Sequence, residues 1–362
     1  MRSKIISFFF FSILFYPYAI GYWIGPLDSA NNQCSLDPKQ HLPNIVVIAA
    51  GGTISGRGNS PTDTTHYTAG AIEIDSLLKR IRADFERDVN VVPHQMFQID
   101  SIDTKLSDIA SLRRTIDEYN SCPNIHGVVV LFGSSTALEV VTTLEHTLKL
   151  NKPVIFALAF KPPTAYNSEA FGNLLASINT AAIIKVNRVL ALCNDLLFLP
   201  YETRKENNRF VPGPDSYVGD IVNFKPILRH SQHYIPKTID ISNIKPKQKF
   251  PVVEGFTPYI GFSGEIFKRS QAHAIVIKSL DNGYWPTESR MVLELLNVFV
   301  VVTTGPTFLG VCGRIAGAVC ANHWSHESTI VLVAFLLATL LNREEITDFI
   351  GNPIVEYSDI SV

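Results

Sequence analysis

The chain has 362 residues, 46% of them apolar and 18% charged, with a formal net charge of −2. That length exceeds what one hydrophobic core comfortably holds and predicts two α/β domains of unequal size. The acidic balance, without a polybasic patch, argues against a nucleic-acid partner.

The chain opens with MRSKIISFFFFSILFYPYAIG: a basic start at Arg2 and Lys4, an apolar run from Ile5 to Tyr16, and the small residues Ala19 and Gly21 at a cleavage position. This predicts a signal peptide over 1–21 and a mature chain that is secreted, in the cell wall or in a periplasm-like compartment. A stable membrane span is not expected, because Pro17 breaks an apolar core that is already short. NIVVIAAGG (44–52) reads as a buried strand ending in a glycine turn, followed by the polar loop 55–68. A helix over 69–81, a strand over 89–99, a helix over 106–120 and the VVVLF strand (128–132) come next. KPVIFAL (152–158), a helix over 173–186 and RVLALCND (188–195) continue the alternation. βαβα order predicts a mostly parallel sheet in a domain running from 43 to 232. The Pro- and Lys-rich stretch 233–250 reads as a linker. A smaller βα unit over 251–362 has strands at 272–280 and 298–304 and helices at 288–297 and 329–342.

The five cysteines, Cys34, Cys122, Cys193, Cys312 and Cys320, contain no CxxC pair. Their odd number permits at most two disulfides, and Cys193 in VLALCNDLLFL reads as a small buried hydrophobe. His323 and His326 in NHWSHES lack further ligands nearby and read as surface residues at a helix start, not metal ligands.

Candidate chemistry sits where strands end. In AAGGTISG, Thr53 follows Gly51 and Gly52, which let a substrate approach the backbone. Its hydroxyl suits nucleophilic attack if a neighbour activates it, and equally suits capping a turn. In VVVLFGSSTALEVV, Ser134 and Ser135 occupy the strand-to-helix turn where open α/β sheets collect ligands. A nucleotide site at Gly51-Gly52 is disfavoured, since GxGxxG and the P-loop lysine pattern are absent.

PNIVVIAAGGTISG, with GVVVLFGSST roughly eighty positions later, resembles the type I/II (bacterial-type) L-asparaginase and glutaminase-asparaginase family. That family's two signature turns read roughly TGGTIAG and HGTDT. HYTAG, QIDSID, NKPVIFALAFKP and CNDLLFLPYETRK are similar to further family segments in the same order, so the similarity runs over about residues 43–362. The resemblance implies a large flavodoxin-like N-terminal domain with a mostly parallel sheet and a smaller C-terminal α/β domain. It implies Thr53 as nucleophile, Tyr67 as its activator, and Ser134 and Lys205 as a second catalytic pair. Ser101, Ser135 and Gly52 fall at substrate-binding positions. It implies no cofactor or metal, and a homo-oligomer, a dimer of dimers, with sites at subunit interfaces.

Several positions depart from the family pattern. Phe132 stands where the family has His, and Ser134 where it has its second catalytic Thr. Ser135 stands where it has the Asp that binds the substrate's α-ammonium and completes a Thr-Lys-Asp cluster. A glutamate from the neighbouring subunit should align in 304–317, near Gly310, and that segment has no carboxylate. Lys161-Pro162-Pro163 replaces Arg-Pro-Ser, Glu169-Ala170-Phe171 replaces Asp-Gly-Pro, and Leu150 replaces the cysteine expected to pair with Cys122. Glu169, Asp103 and Glu202 are candidates to stand in for the missing acid. Losing one partner of a desolvated charge pair costs about 2–5 kcal/mol, so binding of an ordinary α-amino acid is disfavoured. The expectation is an amidohydrolase converting L-asparagine and water to L-aspartate and ammonia through a threonine acyl-enzyme, with activity impaired or specificity altered. The alternative is a catalytically inactive secreted protein of the same fold, with a binding or assembly role.

Overall fold

The structure, a computed structural model, describes residue 34 and residues 41–229, 232–245, 248–280, 283–304, 315–321, 323–339 and 341–360. The expected signal peptide, Cys312 and the Gly310 position lie outside the described residues.

β1 (Asn44–Ala49) is buried along its whole length and is followed by a 3-10 turn at Thr53–Ser55. β2 (Arg57–Gly58) and β3 (Tyr67–Thr68) form a short antiparallel hairpin within the polar loop. α1 (Ile74–Phe85) buries Ile74, Leu77, Leu78, Ile81 and Phe85, the spacing of a one-sided apolar stripe. It starts five residues later than the periodicity suggests, because residues 69–73 form a turn, with Gly70 at φ 67°, bonded to the first turn. Gly70 N donates to Gly52 O (3.0 Å) and Ile72 N to Ser55 O (2.8 Å). β4 (Asn90–Gln95) leads to α2 (Leu106–Asn120), where Asp108 accepts from the Lys105 backbone N–H at 2.9 Å and fixes the start. β5 (Gly127–Leu131), α3 (Ala137–Thr147), β6 (Val154–Ala157), α4 (Ala170–Ile183) and β7 (Val189–Cys193) complete the alternating part.

The chain then changes character. β8 (Leu196–Phe198) turns back antiparallel on β7, and β9 (Arg204–Glu206) and β10 (Arg209–Val211) form a hairpin. β11 (Tyr217–Val222) and β12 (Lys225–Leu228) extend the large sheet. Its order is β12-β11-β8-β7-β6-β5-β1-β4, with the five strands from β7 to β4 parallel and the other three antiparallel.

The smaller sheet comprises β14 (Val253–Phe256), β15 (Ala274–Lys278), β16 (Phe299–Thr303) and β17 (Val319–Cys320), all parallel in that order. Helices α5 (Thr287–Leu295), α6 (His326–Ala338) and α7 (Arg343–Gly351) accompany it. α6 is apolar on all sides, as suits a helix packed both on its own sheet and on α3 of the large domain. Phe335 and Ala338 of α6 thereby join the large domain's core. β13 (Gln232–Pro236), within the stretch read as linker, pairs antiparallel with β18 (Ile354–Asp359). Beside it lies a buried polar triad. Arg188 Nε donates to Glu145 Oε1 (2.6 Å), Tyr234 Oη donates to Glu145 Oε2 (2.8 Å), and Arg188 also bonds the Tyr234 carbonyl. Such a buried ion pair needs the carboxylate's lone pairs satisfied, and each Glu145 oxygen accepts a hydrogen bond.

Cys122, whose expected partner position holds Leu150, is instead disulfide-bonded to Cys34, with Cα atoms 5.2 Å apart. Cys193 is buried, and its thiol is pushed up by desolvation, as a small core hydrophobe requires. Among the described residues, no helix is long and apolar enough to cross a membrane.

Candidate active site

Three turns meet at the carboxyl ends of the central parallel strands. Gly52, with φ of 80°, lies so close to the turn after β5 that a Cβ on it would come within 2.2 Å of Gly133 N. A Cβ on Gly133 would in turn fall 2.3 Å from Ser101 Oγ. These glycines are required because backbone packs directly on backbone and on a buried hydroxyl. The contact sets the spacing between Thr53, Ser101 and Ser134.

Thr53 is buried, 8% exposed, and its Oγ1 lies 2.6 Å from Tyr67 Oη. A hydroxyl pair that short lets the phenol take or relay the threonine proton during attack on a carbonyl. The β2–β3 hairpin supplies Tyr67, so the polar loop is what aims the activator. Ser101 is 3% exposed, and its Oγ has no hydrogen-bond partner among the described residues. A buried hydroxyl left in that state is poised for a ligand's polar group. Ser134, also buried, accepts from Lys205: Nζ lies 2.9 Å from Ser134 O and 3.2 Å from its Oγ. The Lys205 ammonium sits over the rings of Phe160 and Phe210, at 5.2 and 5.9 Å from their centres. Desolvation lowers its pKa, and the nearby Cys193 and Glu139 act in the opposite direction.

The structure thus brings together Thr53 with Tyr67, and Ser134 with Lys205, with Gly52 and Ser101 between the two pairs. Ser135 differs: it is exposed at the lip of the turn, and its side chain makes none of these contacts. Phe132, where a histidine is expected, is buried in the core edge-on to Phe156.

A cavity of about 400 Å³ opens beside Ser134, Ser135 and Lys205, between the two domains of one chain. Lys278 of β15 and Ser325, His326 and Glu327 at the start of α6 close its far side. Thr53 and Tyr67 are not among its lining residues. The two histidines read as surface groups are part of the domain contact. His326 is 8% exposed and bonds Thr303 Oγ1 through Nδ1 at 3.1 Å, while His323 Nδ1 pairs with Tyr201 Oη at 2.8 Å. The sequence shows them at a helix start; His323 is half-buried against Tyr201 of the large domain, whereas His326 is buried against β14 and β16 of its own sheet. Among the described residues, no group of three or more His, Cys, Asp or Glu side chains is arranged to hold a metal.

None of the three acids singled out from sequence faces Ser135. Glu169 Oε1 is taken by the Phe160 backbone N–H at 2.5 Å, Asp103 is exposed, and Glu202 packs against Gly213. A fourth, Glu139, lines the cavity with Lys205, and sequence reading missed it. Desolvation pushes its carboxyl up to about 7, assisted by Glu327 and opposed by its own backbone N–H and Lys205. Its one sequence signal is a carboxylate in the first turn of α3.

Fold and site together define a two-domain α/β protein with a cluster of buried hydroxyls at the ends of its parallel strands. Residues 44–221 match the family model for the asparaginase N-terminal domain. The chain is 27% identical over 309 residues to a probable L-asparaginase 3 of Schizosaccharomyces pombe, spanning 81% of this chain and 82% of that protein. It is 26% identical over 272 residues to L-asparaginase 2 of Bacillus subtilis, spanning 71% and 72%. L-asparaginase 2 of Escherichia coli is 27% identical over 253 residues, spanning 67% and 71%. The fold is that of a probable cytoplasmic L-asparaginase from Campylobacter jejuni, with a TM-score of 0.74 at 23% identity, covering 85% of this chain and 99% of that one. Over residues 44–221 the chain belongs to the asparaginase family.

Proposed function

We propose that the protein hydrolyses a side-chain amide of the asparagine type through Thr53. The Thr53–Tyr67 hydroxyl pair, 2.6 Å apart in a buried turn, carries this reading. Thr53 Oγ1 attacks the amide carbon while its proton passes by way of Tyr67 to the departing nitrogen, which leaves as ammonia. Water then attacks the resulting ester, releasing the acid and restoring the threonine. Ser101 Oγ, buried and unbonded, offers a donor to the substrate's carboxylate. The Lys205–Ser134 pair offers a cation for negative charge that develops in the reaction.

The neutral, exposed Ser135 favours altered specificity, because no carboxylate occupies the position that would receive an α-ammonium. Succinamic acid, the asparagine analogue without the α-amino group, is therefore expected to compete well with asparagine. Secretion fits the Cys34–Cys122 disulfide, which forms and persists in oxidising compartments.

The test is ammonia release by the purified protein from L-asparagine, L-glutamine and succinamic acid, each beside Thr53→Ala. Release from at least one amide that disappears in Thr53→Ala is the expected outcome. Release that survives the substitution, or no release from any of the three, overturns the reading and leaves a non-catalytic member of the family.

A further inference from the structure

Lys205 is a half-buried cation held by Ser134 through one carbonyl and one hydroxyl, with no carboxylate within ion-pairing distance among the described residues. A cation removed from water keeps its charge only if an anion faces it. Position 135, where the resemblance leads one to expect that anion, is neutral. Cys193, the nearest thiol, is held protonated by burial.

Helix geometry supplies a different carboxylate. In α3, side chains lean toward the helix N-terminus, so the spot above residue 135 is covered from one turn further along. Residue 139 holds that position, and it is a glutamate. Glu139 lines the same cavity as Ser134, Ser135 and Lys205, and it is an electrostatic neighbour of Lys205. Its carboxylate bonds no other residue than its own backbone N–H among the described residues, so it is not committed elsewhere.

We propose that Glu139 is the positioning carboxylate of this site, supplying from one helical turn past Ser135 the negative charge that keeps Lys205 ionised and directed at Ser134. Its functional meaning rests on the hydrolase reading above, but its electrostatic content does not. The charged and titratable groups facing Glu139 across the cavity are Arg204, Lys205 and Glu206 of β9, Lys278 of β15, and His326 and Glu327 of α6. With the Glu139 carboxyl pushed up to about 7, the positioning charge is gained as pH rises through neutrality.

The experiment follows Lys205 directly. Protein labelled with 13C at lysine Cε is titrated by NMR, with the Lys205 signal assigned by Lys205→Arg, for wild type, Glu139→Gln and Glu139→Gln/Ser135→Asp. Loss of the anion should lower the Lys205 midpoint in Glu139→Gln, and an aspartate at 135 should bring it back toward wild type. Should Glu139→Gln fail to fold, Glu139→Leu, which fills the same helix face without charge, is expected to give the same drop. An unchanged Lys205 midpoint in the folded uncharged variant overturns the proposal.

Ammonia release is measured on the same proteins. If wild type is active, kcat in Glu139→Gln falls about ten- to a hundredfold, the range for losing a partner that orients a catalytic ligand, with KM moving less. The activity limb near pH 7 disappears with it, and Ser135→Asp restores the rate. A kcat and pH profile unaffected by Glu139→Gln also overturn the proposal. If wild type releases no ammonia yet the Lys205 midpoint still drops, the hydrolase reading fails while the charge pairing stands.

Discussion

At the scale of single residues, the site separates hydroxyls that are fixed from a position that is not. Thr53, Ser101 and Ser134 are all buried within a backbone contact made by Gly52 and Gly133, whereas Ser135 is exposed and touches none of them. Tyr67 belongs to the fixed set through one hydrogen bond, so its loss should act on the reaction and hardly on the fold. Tyr67→Phe is expected to lower kcat by about a hundredfold or more, the usual worth of a positioned proton-transfer group. Its unfolding free energy should change by about 1 kcal/mol at most, as for one hydrogen bond with a partly exposed partner. A fall in activity matched by a comparable loss of thermal stability would mean that Tyr67 is only a strut. Thr53, Tyr67 and Lys205 were legible from sequence because each stands in a recognisable segment at a spacing that several other segments reinforce. Glu139 was not, since a glutamate in the first turn of a helix ordinarily faces water or the helix dipole. Only the arrival of Lys278 and α6 on the far side encloses it.

At the scale of elements, the apolar runs fixed most of what could be read. β1, β5, β6 and β7 are continuous buried stretches, the pattern of parallel strands covered on both faces, and α2 falls where its periodicity puts it. The antiparallel strands β8, β11 and β12 were not expected, because their short half-exposed sequences look like loop until neighbours supply their hydrogen bonds. The same applies to β13 inside the presumed linker. Long-range pairing also decides the cysteines. Cys122, beyond the end of α2, closes onto Cys34 across 88 residues, and Asn124 Nδ2 donates to the Cys34 carbonyl at 3.2 Å. The bond staples the segment before β1 to the turn that precedes β5. Cys34→Ser is expected to lower the unfolding free energy by about 2–5 kcal/mol, as for loss of a native disulfide. Denaturant melts of this variant and of Cys122→Ser should agree. A large difference between them would show that something other than the disulfide is being lost.

At the scale of the whole molecule, a titratable side chain is buried where the domains meet. His146 at the end of α3 is 1% exposed, bonds the Lys237 carbonyl through Nδ1 at 2.8 Å, and lies edge-on to Trp324 and Phe349 of the small domain. Desolvation lowers its pKa to about 4, from the ordinary 6.5. The unfolded chain therefore binds this proton below about pH 6.5 while the native one does not until about pH 4. The sign is that stability contributed by neutral His146 is present above pH 6.5 and lost progressively down to pH 4. Urea midpoints measured across that window should slope less for His146→Gln than for wild type, and parallel slopes would remove His146 from the account. The domain contact also sets an order of events. Tyr234 of β13 pairs with Tyr357 of β18, and Tyr234 is also the member of the buried triad that reaches Glu145. During synthesis the ribosome delivers Tyr357 only after every residue lining the interdomain cavity has emerged. A nascent chain halted before Ile354 would contain Glu145, Arg188 and Tyr234 but lack the strand with which Tyr234 pairs. The setting of this triad is thus completed by β18 and not by its own three side chains.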